Sequence, residues 1–299
     1  MSKFSTIIFG CRSNSFDFIK SLNRKKYKIE KIITISRKVA EKNKVSGYCD
    51  LSNLPRVISK KILLSKNYSL GLNKDNILDF KKKYEVGFSI GWQRIIPEQI
   101  LRKFKYGVFG MHCSKFKLPD GRGRSPINWS LIKGSNYIYC NIFQYNKDID
   151  DGDLVYTKKI FFSQNEDINT IQQKLCFIFS NFINENNFFL KKKLKQKKQK
   201  KIIYFKKRMA KDGLIKIANF NAEELHNFIR AQTRPYPGAY IIFKDKKYRL
   251  YKSNYFYYKM NKKFEKKIVQ IFYDGSFLIY LKNYLIHILD HEIPKKILA

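Results

Sequence analysis

Apolar runs alternate with stretches of helical periodicity through the first 115 residues. Thr6–Phe9 is an apolar run. Phe16, Ile19 and Leu22 then recur at helical spacing, and Ile29–Ile35 (IEKIITI) is strand-like again. The same pattern predicts a helix over Asn76–Tyr84, a strand over Glu85–Ile90, a helix opening at Pro97 and a strand over Gly107–Met111. This βαβα order predicts an α/β fold, a mostly parallel Rossmann-like sheet with helices on both faces. Ligands of such sheets bind beyond the carboxyl ends of the strands, so the polar residues after Met111 stand where a site is expected.

Ile168, Ile171, Leu175, Ile178, Phe179, Phe182 and Ile183 form a stripe of 3.6-residue period, which predicts a long amphipathic helix packed on this first domain. A lysine-rich run, KKKLKQKKQKK, follows from Lys191 to Lys201 and reads as a solvated helix end or linker. The boundary is placed there, giving domains of residues 1–200 and 201–299. Asn221 with Glu224 is a capping-box signal for a helix through Arg230. Strand-like runs follow at Ala239–Phe243, Tyr248–Tyr251, Ile268–Tyr273 and Phe277–Leu281, with Asp274-Gly275 as a turn. A small OB-like β-barrel is expected.

The 299-residue chain, 44% hydrophobic, is long enough for two cores. It has no apolar run near the roughly 20 residues of a membrane helix, and MSKFSTIIFG reads as a buried strand rather than a signal peptide. No membrane insertion and a cytoplasmic location are therefore expected. The five cysteines (Cys11, Cys49, Cys113, Cys140, Cys176) are scattered, with no CxxC pair, and read as reduced thiols. The formal net charge of +37 attracts anions in general. Lysine, asparagine, isoleucine, phenylalanine and tyrosine are abundant together, as AT-rich coding alone would leave them, so the charge does not name the anion.

Candidate chemistry gathers in residues 107–154, GVFGMHCSKFKLPDGRGRSPINWSLIKGSNYIYCNIFQYNKDIDDGDL. A histidine at a strand end, a loop of glycine and arginine, and then a helix can hold a base and bind an anion. The acidic cluster Asp148, Asp150, Asp151 and Asp153 does not fit a calcium loop, since Asp151 and Thr157 stand where glycine and glutamate are needed. Asp148 and Asp151 read as a solvated turn.

The order of these features resembles the formyltransferase family: a strand, Asn-x-His, Leu-Pro, Arg-Gly, a proline-containing helix start and Asp-x-Gly-Asp. The matching residues are His112, Ser114, Leu118-Pro119, Arg122-Gly123, Pro126, Gly134 and Asp150–Asp153. Two further blocks resemble the family: IGWQRIIPEQIL (Ile90–Leu101), similar to its folate-side loop, and DGLIKIANFNAEELHNFIRAQTRPYPGAY (Asp212–Tyr240), similar to the start of its carboxyl-terminal domain.

The resemblance implies formyl transfer from 10-formyltetrahydrofolate, a co-substrate, to a primary amine, with no metal. His112 would be the base and Asp150 its partner. Gly91, Trp92, Arg94, Ile95, Ile96 and Pro97 would hold the folate, and Ser114, Arg122 and Arg124 the acceptor. Two departures stand out. Gly110 replaces the family's asparagine, removing a side-chain donor to the formyl oxygen; a glycine amide, the His112 ring or Asn141 could replace it. The segment from His112 to Pro119 is two residues longer, so the loop must bulge.

For the acceptor, HNFIRAQTRPYPGAY, GWQRIIPEQIL and LPDGRGRSPINW look closer to the sugar N-formyltransferases, which favours a nucleotide-linked amino sugar. The lysine run and net charge favour the alternative, a methionyl-tRNA formyltransferase. A catalytically impaired binding protein is the second alternative, marked by Gly110, and a homodimer is compatible with each.

Overall fold

The computed structural model describes residues 3–70, 82–197 and 201–298. In chain order the elements are β1 (Phe4–Phe9), α1 (Ser13–Ser21), β2 (Tyr27–Ile35), α2 (Arg37–Lys42), α3 (Arg56–Ser59), β3 (Ile62–Ser65), β4 (Tyr84–Ser89), α4 (Glu98–Leu101) and β5 (Phe104–Ser114). There follow β6 (Arg122–Gly123), α5 (Pro126–Ile132), β7 (Tyr137–Gln144), β8 (Leu154–Phe161), α6 (Ile168–Glu185) and β9 (Tyr204–Phe205), the last forming a small pair with β6. The helix expected over Asn76–Tyr84 lies outside the described residues up to position 81, and Tyr84 opens β4.

Seven strands make one sheet in the order β3-β2-β1-β4-β5-β7-β8. The pairs from β3 to β5 are parallel, and β5 with β7 is antiparallel. The fold is therefore the mostly parallel α/β class that the periodicity indicates. Strand order reverses between β1 and β4, which opens a crevice beyond their carboxyl ends. Because side chains alternate across the sheet, Ile7, Phe9 and Val108 fill one face together with Ala40 of α2 and Ile100 of α4, and Tyr84 joins them where the register of β4 with β5 shifts between Tyr84 and Val86. Phe88 faces the other way, in edge contact with Phe18 of α1 and Tyr27, and Phe18 in turn meets Phe179 of α6. Helices thus cover both faces.

Compact packing divides the chain into a unit of residues 1–123, 139–159 and 172–204, and a second of 124–138, 160–171 and 205–299. The second unit holds α7 (Ala222–Arg230) and strands β10 (Ala239–Phe243), β11 (Lys246–Tyr257), β12 (Ile268–Ile271), β13 (Phe277–Leu281) and β14 (Tyr284–His291), before α8 (Lys295–Leu298). The strands form an antiparallel sheet in the order β10-β11-β14-β13-β12. The capping box is present: Asn221 Oδ1 accepts from Glu224 N (2.8 Å), and Glu224 Oε2 accepts from Asn221 N (2.9 Å).

Polar letters of the Asp212–Tyr240 block are fasteners within this unit. Arg230 donates to Asn227 and to the Ser163 and Glu166 carbonyls, and the Ala231 carbonyl accepts from Asn128. His226 lies between Ser253 Oγ and the Gln164 carbonyl; burial pulls its pKa down, the neighbouring Arg230 adds to that, and the two hydrogen bonds oppose it.

Candidate active site

β5 runs to Ser114, three residues past the expected Met111, and carries His112 at its carboxyl end. Gly110 and His112, two apart on a strand, share the sheet face of Val108. The Ser114 hydroxyl ties the next turn by donating to the Phe116 carbonyl and accepting from its amide, each at 3.0 Å. A Lys117–Asp120 turn then brings Gly121 back beneath Ser114, where a Cβ would come within 2.4 Å of Ser114 Oγ. The longer strand and this turn absorb the two extra residues of the loop.

Asp150 sits in a left-handed backbone conformation (φ 51°) between β7 and β8. Its Oδ2 lies 3.2 Å from His112 Nδ1 and accepts from Gly123 N at 3.0 Å. Gln196 Nε2 donates to the carbonyls of Asp150 and Gly152, both at 2.8 Å. Gly152 is required by space, since a Cβ there would fall 1.5 Å from the Gln144 carbonyl oxygen. The lysine run is therefore not simply solvated. Leu194 bridges to Leu154 through paired backbone hydrogen bonds, and the run delivers Gln196 to Asp150. Asp151 is likewise not a free turn residue, because it pairs with Arg122.

His112 is buried, 7% exposed, and both ring nitrogens face acceptors, Nε2 lying 2.6 Å from the Gly121 carbonyl. Burial pulls its pKa down. The Asp150 charge and hydrogen bond, with the Gly121 carbonyl, outweigh that and hold it above the ordinary histidine value. Burial pushes Asp150 up, but His112, Gly123 N–H and Arg122 bring it below the usual carboxylate range. The pair thus favours imidazolium with carboxylate, the arrangement in which an aspartate stabilises a protonated base. Its contribution to stability from His112 is complete below the ordinary histidine pKa and lost as pH rises through the folded one. From Asp150 it is present above the ordinary carboxylate pKa and lost as pH falls through the folded one.

The other expected residues are placed less freely than the sequence suggests. Arg122 is turned inward, 5% exposed, with Nη2 on Asp151 and on Gln196 Oε1. Its charge balances the acidic loop instead of standing open to an anion. Arg124 is half-buried and belongs to the second unit. Asn141, paired with His112 across β5 and β7, is buried; its amide donates to the His112 carbonyl (3.1 Å) and less closely to those of Tyr139 and Phe116. Its oxygen accepts from Thr157 (3.1 Å). Asn141 therefore holds the strand end and offers no free donor in place of the missing asparagine.

The Gly91–Pro97 segment leaves the switch point between β1 and β4. Gly91 adopts φ +71°, and a Cβ there would meet Asn14 Oδ1 and Ser15 Oγ, each at 2.5 Å. Trp92 is buried against Phe9 and Tyr68, and Arg94 lies over the Tyr68 ring at 4.8 Å and donates to Asn43. Ile96 is a core residue, 1% exposed, whereas Ile95 is 53% exposed. A charged Ile96 would thus unfold the core before it informed on any ligand. Trp92 Nε1 and Asn14 Oδ1 are buried polar atoms with no hydrogen-bond partner among the described residues. Among the described residues no three His, Cys, Asp or Glu side chains converge as metal ligands, and no helix is long and apolar enough to cross a membrane.

Residues 2–185 match the family model described as formyl transferase, and residues 208–298 that of the formyl transferase C-terminal domain. The chain belongs to the formyl transferase family. It is 34% identical over 191 residues to the bifunctional polymyxin resistance protein ArnA of Wigglesworthia glossinidia brevipalpis, covering 62% of this chain and 29% of that protein. It therefore spans less than a third of that relative's length. It is 26% identical over 255 residues to a methionyl-tRNA formyltransferase of Thermodesulfovibrio yellowstonii, covering 83% of this chain and 79% of the other. The fold is similar to that of an N-formyltransferase from Helicobacter canadensis in complex with folinic acid and dTDP-3-aminofucose. That likeness has TM-score 0.64 and 15% identity, over 95% of this chain and 98% of that one.

Two outcomes follow for this site. Ile96→Ala should cost about 2–5 kcal/mol of stability, and Ile95→Ala no more than about 0.5 kcal/mol, as measured by urea unfolding; equal losses would contradict the placement of the loop. In Asp150→Asn, the His112 ring protons followed by NMR should titrate at lower pH than in the parent chain, because burial then meets less opposition. An unchanged midpoint would show that the carboxylate does not set the charge of His112.

Proposed function

We propose that the chain transfers the formyl group of 10-formyltetrahydrofolate to the amino group of a nucleotide-linked sugar. The observation that carries this reading is the buried His112–Asp150 pair at the carboxyl end of β5, in a chain of the formyl transferase family. The Gly91–Pro97 loop suits the folate by its place after β4, where the strand order reverses, and by the exposed apolar side chain of Ile95. That side chain would lie against the face of a flat heteroaromatic ring.

In the proposed reaction the acceptor amine attacks the formyl carbon, giving a tetrahedral centre with a negative oxygen and a positive nitrogen. His112, once neutral, takes a proton from that nitrogen through Nε2, exchanging the Gly121 carbonyl for the acceptor. Such proton transfer is worth about 10²–10⁴ in rate. Asp150 holds the ring through Nδ1 and stabilises the imidazolium. Collapse of the centre breaks the bond to folate nitrogen, which receives the proton back, and leaves an N-formylated amine and tetrahydrofolate.

The sugar acceptor is supported by near end-to-end likeness to a solved N-formyltransferase whose complex holds a dTDP-linked amino sugar. Methionyl-tRNA is the second reading, supported by the relative matched over 83% of this chain and by the net charge of +37. A catalytically impaired binding protein is not favoured, because both His112 and Asp150 are present and in contact. Product analysis with 10-formyltetrahydrofolate, a panel of amino-sugar nucleotides and charged initiator tRNA distinguishes these readings. A formylated sugar is expected. Formylation of the tRNA alone, falling steeply with salt as phosphate contacts require, would replace the acceptor and keep the chemistry.

A further inference from the structure

Gly110 leaves the site without the side-chain donor that the family pattern places two residues before the histidine, and the space beside it is filled. A Cβ at position 110 would lie 2.6 Å from Tyr145 Cε1, 2.7 Å from Tyr145 Oη and 2.8 Å from the Ser89 carbonyl oxygen. The tyrosine hydroxyl thus stands where an asparagine side chain would begin, on the sheet face that also carries His112.

The ring is well fixed. Tyr145 follows directly after β7, its N–H donates to the Val108 carbonyl at 2.7 Å, and its ring stacks on the buried Phe143 at 5.0 Å and 19°. The residue is half-buried. Burial pushes the phenol up to about 12; the Ser89 side chain opposes this and the charge of Asp150 adds to it. The hydroxyl therefore keeps its proton across any working pH and can donate it in a hydrogen bond.

We propose that Tyr145 Oη donates the hydrogen bond to the formyl oxygen that Gly110 cannot supply, and that it stabilises the negative oxygen of the tetrahedral centre. The inference rests on the formyl-transfer reading above. Tyrosine and glycine are then one unit: the missing Cβ makes room for the ring, and the ring returns the donor. Asn141, the other amide near His112, is already committed to backbone carbonyls.

The test compares Tyr145→Phe, Tyr145→Met and His112→Ala with the parent chain, using 10-formyltetrahydrofolate and whichever of a dTDP-linked amino sugar or charged initiator tRNA accepts the formyl group. Tyr145→Phe keeps the ring and its stacking, so the thermal midpoint should hold while kcat falls by about 10²–10³, as on loss of one oxyanion donor. KM for the folate should change little, and Tyr145→Met guards against a defect peculiar to phenylalanine. A second measurement needs no acceptor. The preference of the chain for 10-formyltetrahydrofolate over tetrahydrofolate, read by calorimetry, should fall by about two- to twelvefold in Tyr145→Phe, the worth of one hydrogen bond. Parent-like kcat and preference in Tyr145→Phe, with His112→Ala still slow, would overturn this inference and leave the formyl-transfer reading standing. A parent-like rate in His112→Ala would overturn both.

Discussion

A carboxylate taken out of water must be met by partners, and the placement of Asp150 organises the site around that need. Three groups meet it: the His112 ring, the Gly123 amide and the charge of Arg122. The backbone is shaped to deliver them. Asp150 takes a left-handed conformation, Gly152 passes under the Gln144 carbonyl without a Cβ, and Gln196 closes the loop through two carbonyls. The carboxylate in turn fixes the orientation and charge of His112, since burial alone would hold the imidazole neutral and leave the ring to choose its own partner. Arg122, which looks like a ligand-binding arginine in the sequence, is part of the same balance.

The two units use their polar residues differently. In the first, Asp150 meets His112 near the carboxyl end of β5, and Tyr145 packs beside Gly110 on the same strand. In the second, the polar residues of α7 are used up in holding its own segments together, with Arg230 and Asn128 fastened to backbone carbonyls. A block of sequence can therefore resemble a family strongly through residues whose role is architectural. His226, with its lowered pKa and two hydrogen bonds, is such a residue.

The legible parts were those that leave a local trace. Strong apolar runs marked β1, β2, β4 and β5, period 3.6 marked α6, and a capping pair marked α7. The order of motifs brought out His112 and Asp150, 38 positions apart yet in contact. What was missed depends on partners far along the chain. β8 has an exposed lysine pair, Lys158 and Lys159, and no clean alternation. β14 is set by pairing with both β11 and β13. Neighbours in sequence, Ile95 and Ile96 part between surface and core by a turn no periodicity encodes. Gln196 hides in a lysine run, and Tyr145 matters only through the glycine it packs against. The absence of a side chain at Gly110 was visible in the sequence, while the residue occupying its place required the fold.

The central claim is that His112 acts as a base whose proton affinity is set by Asp150. It is tested most directly by the single-turnover rate of formyl transfer from 10-formyltetrahydrofolate, followed from about pH 5 to 9 in the parent chain and in Asp150→Asn. The account predicts a rate that rises with pH through the elevated pKa of His112, and in the variant a rise at lower pH to a lower plateau. Superimposable profiles, or a rate indifferent to pH in both, would contradict it.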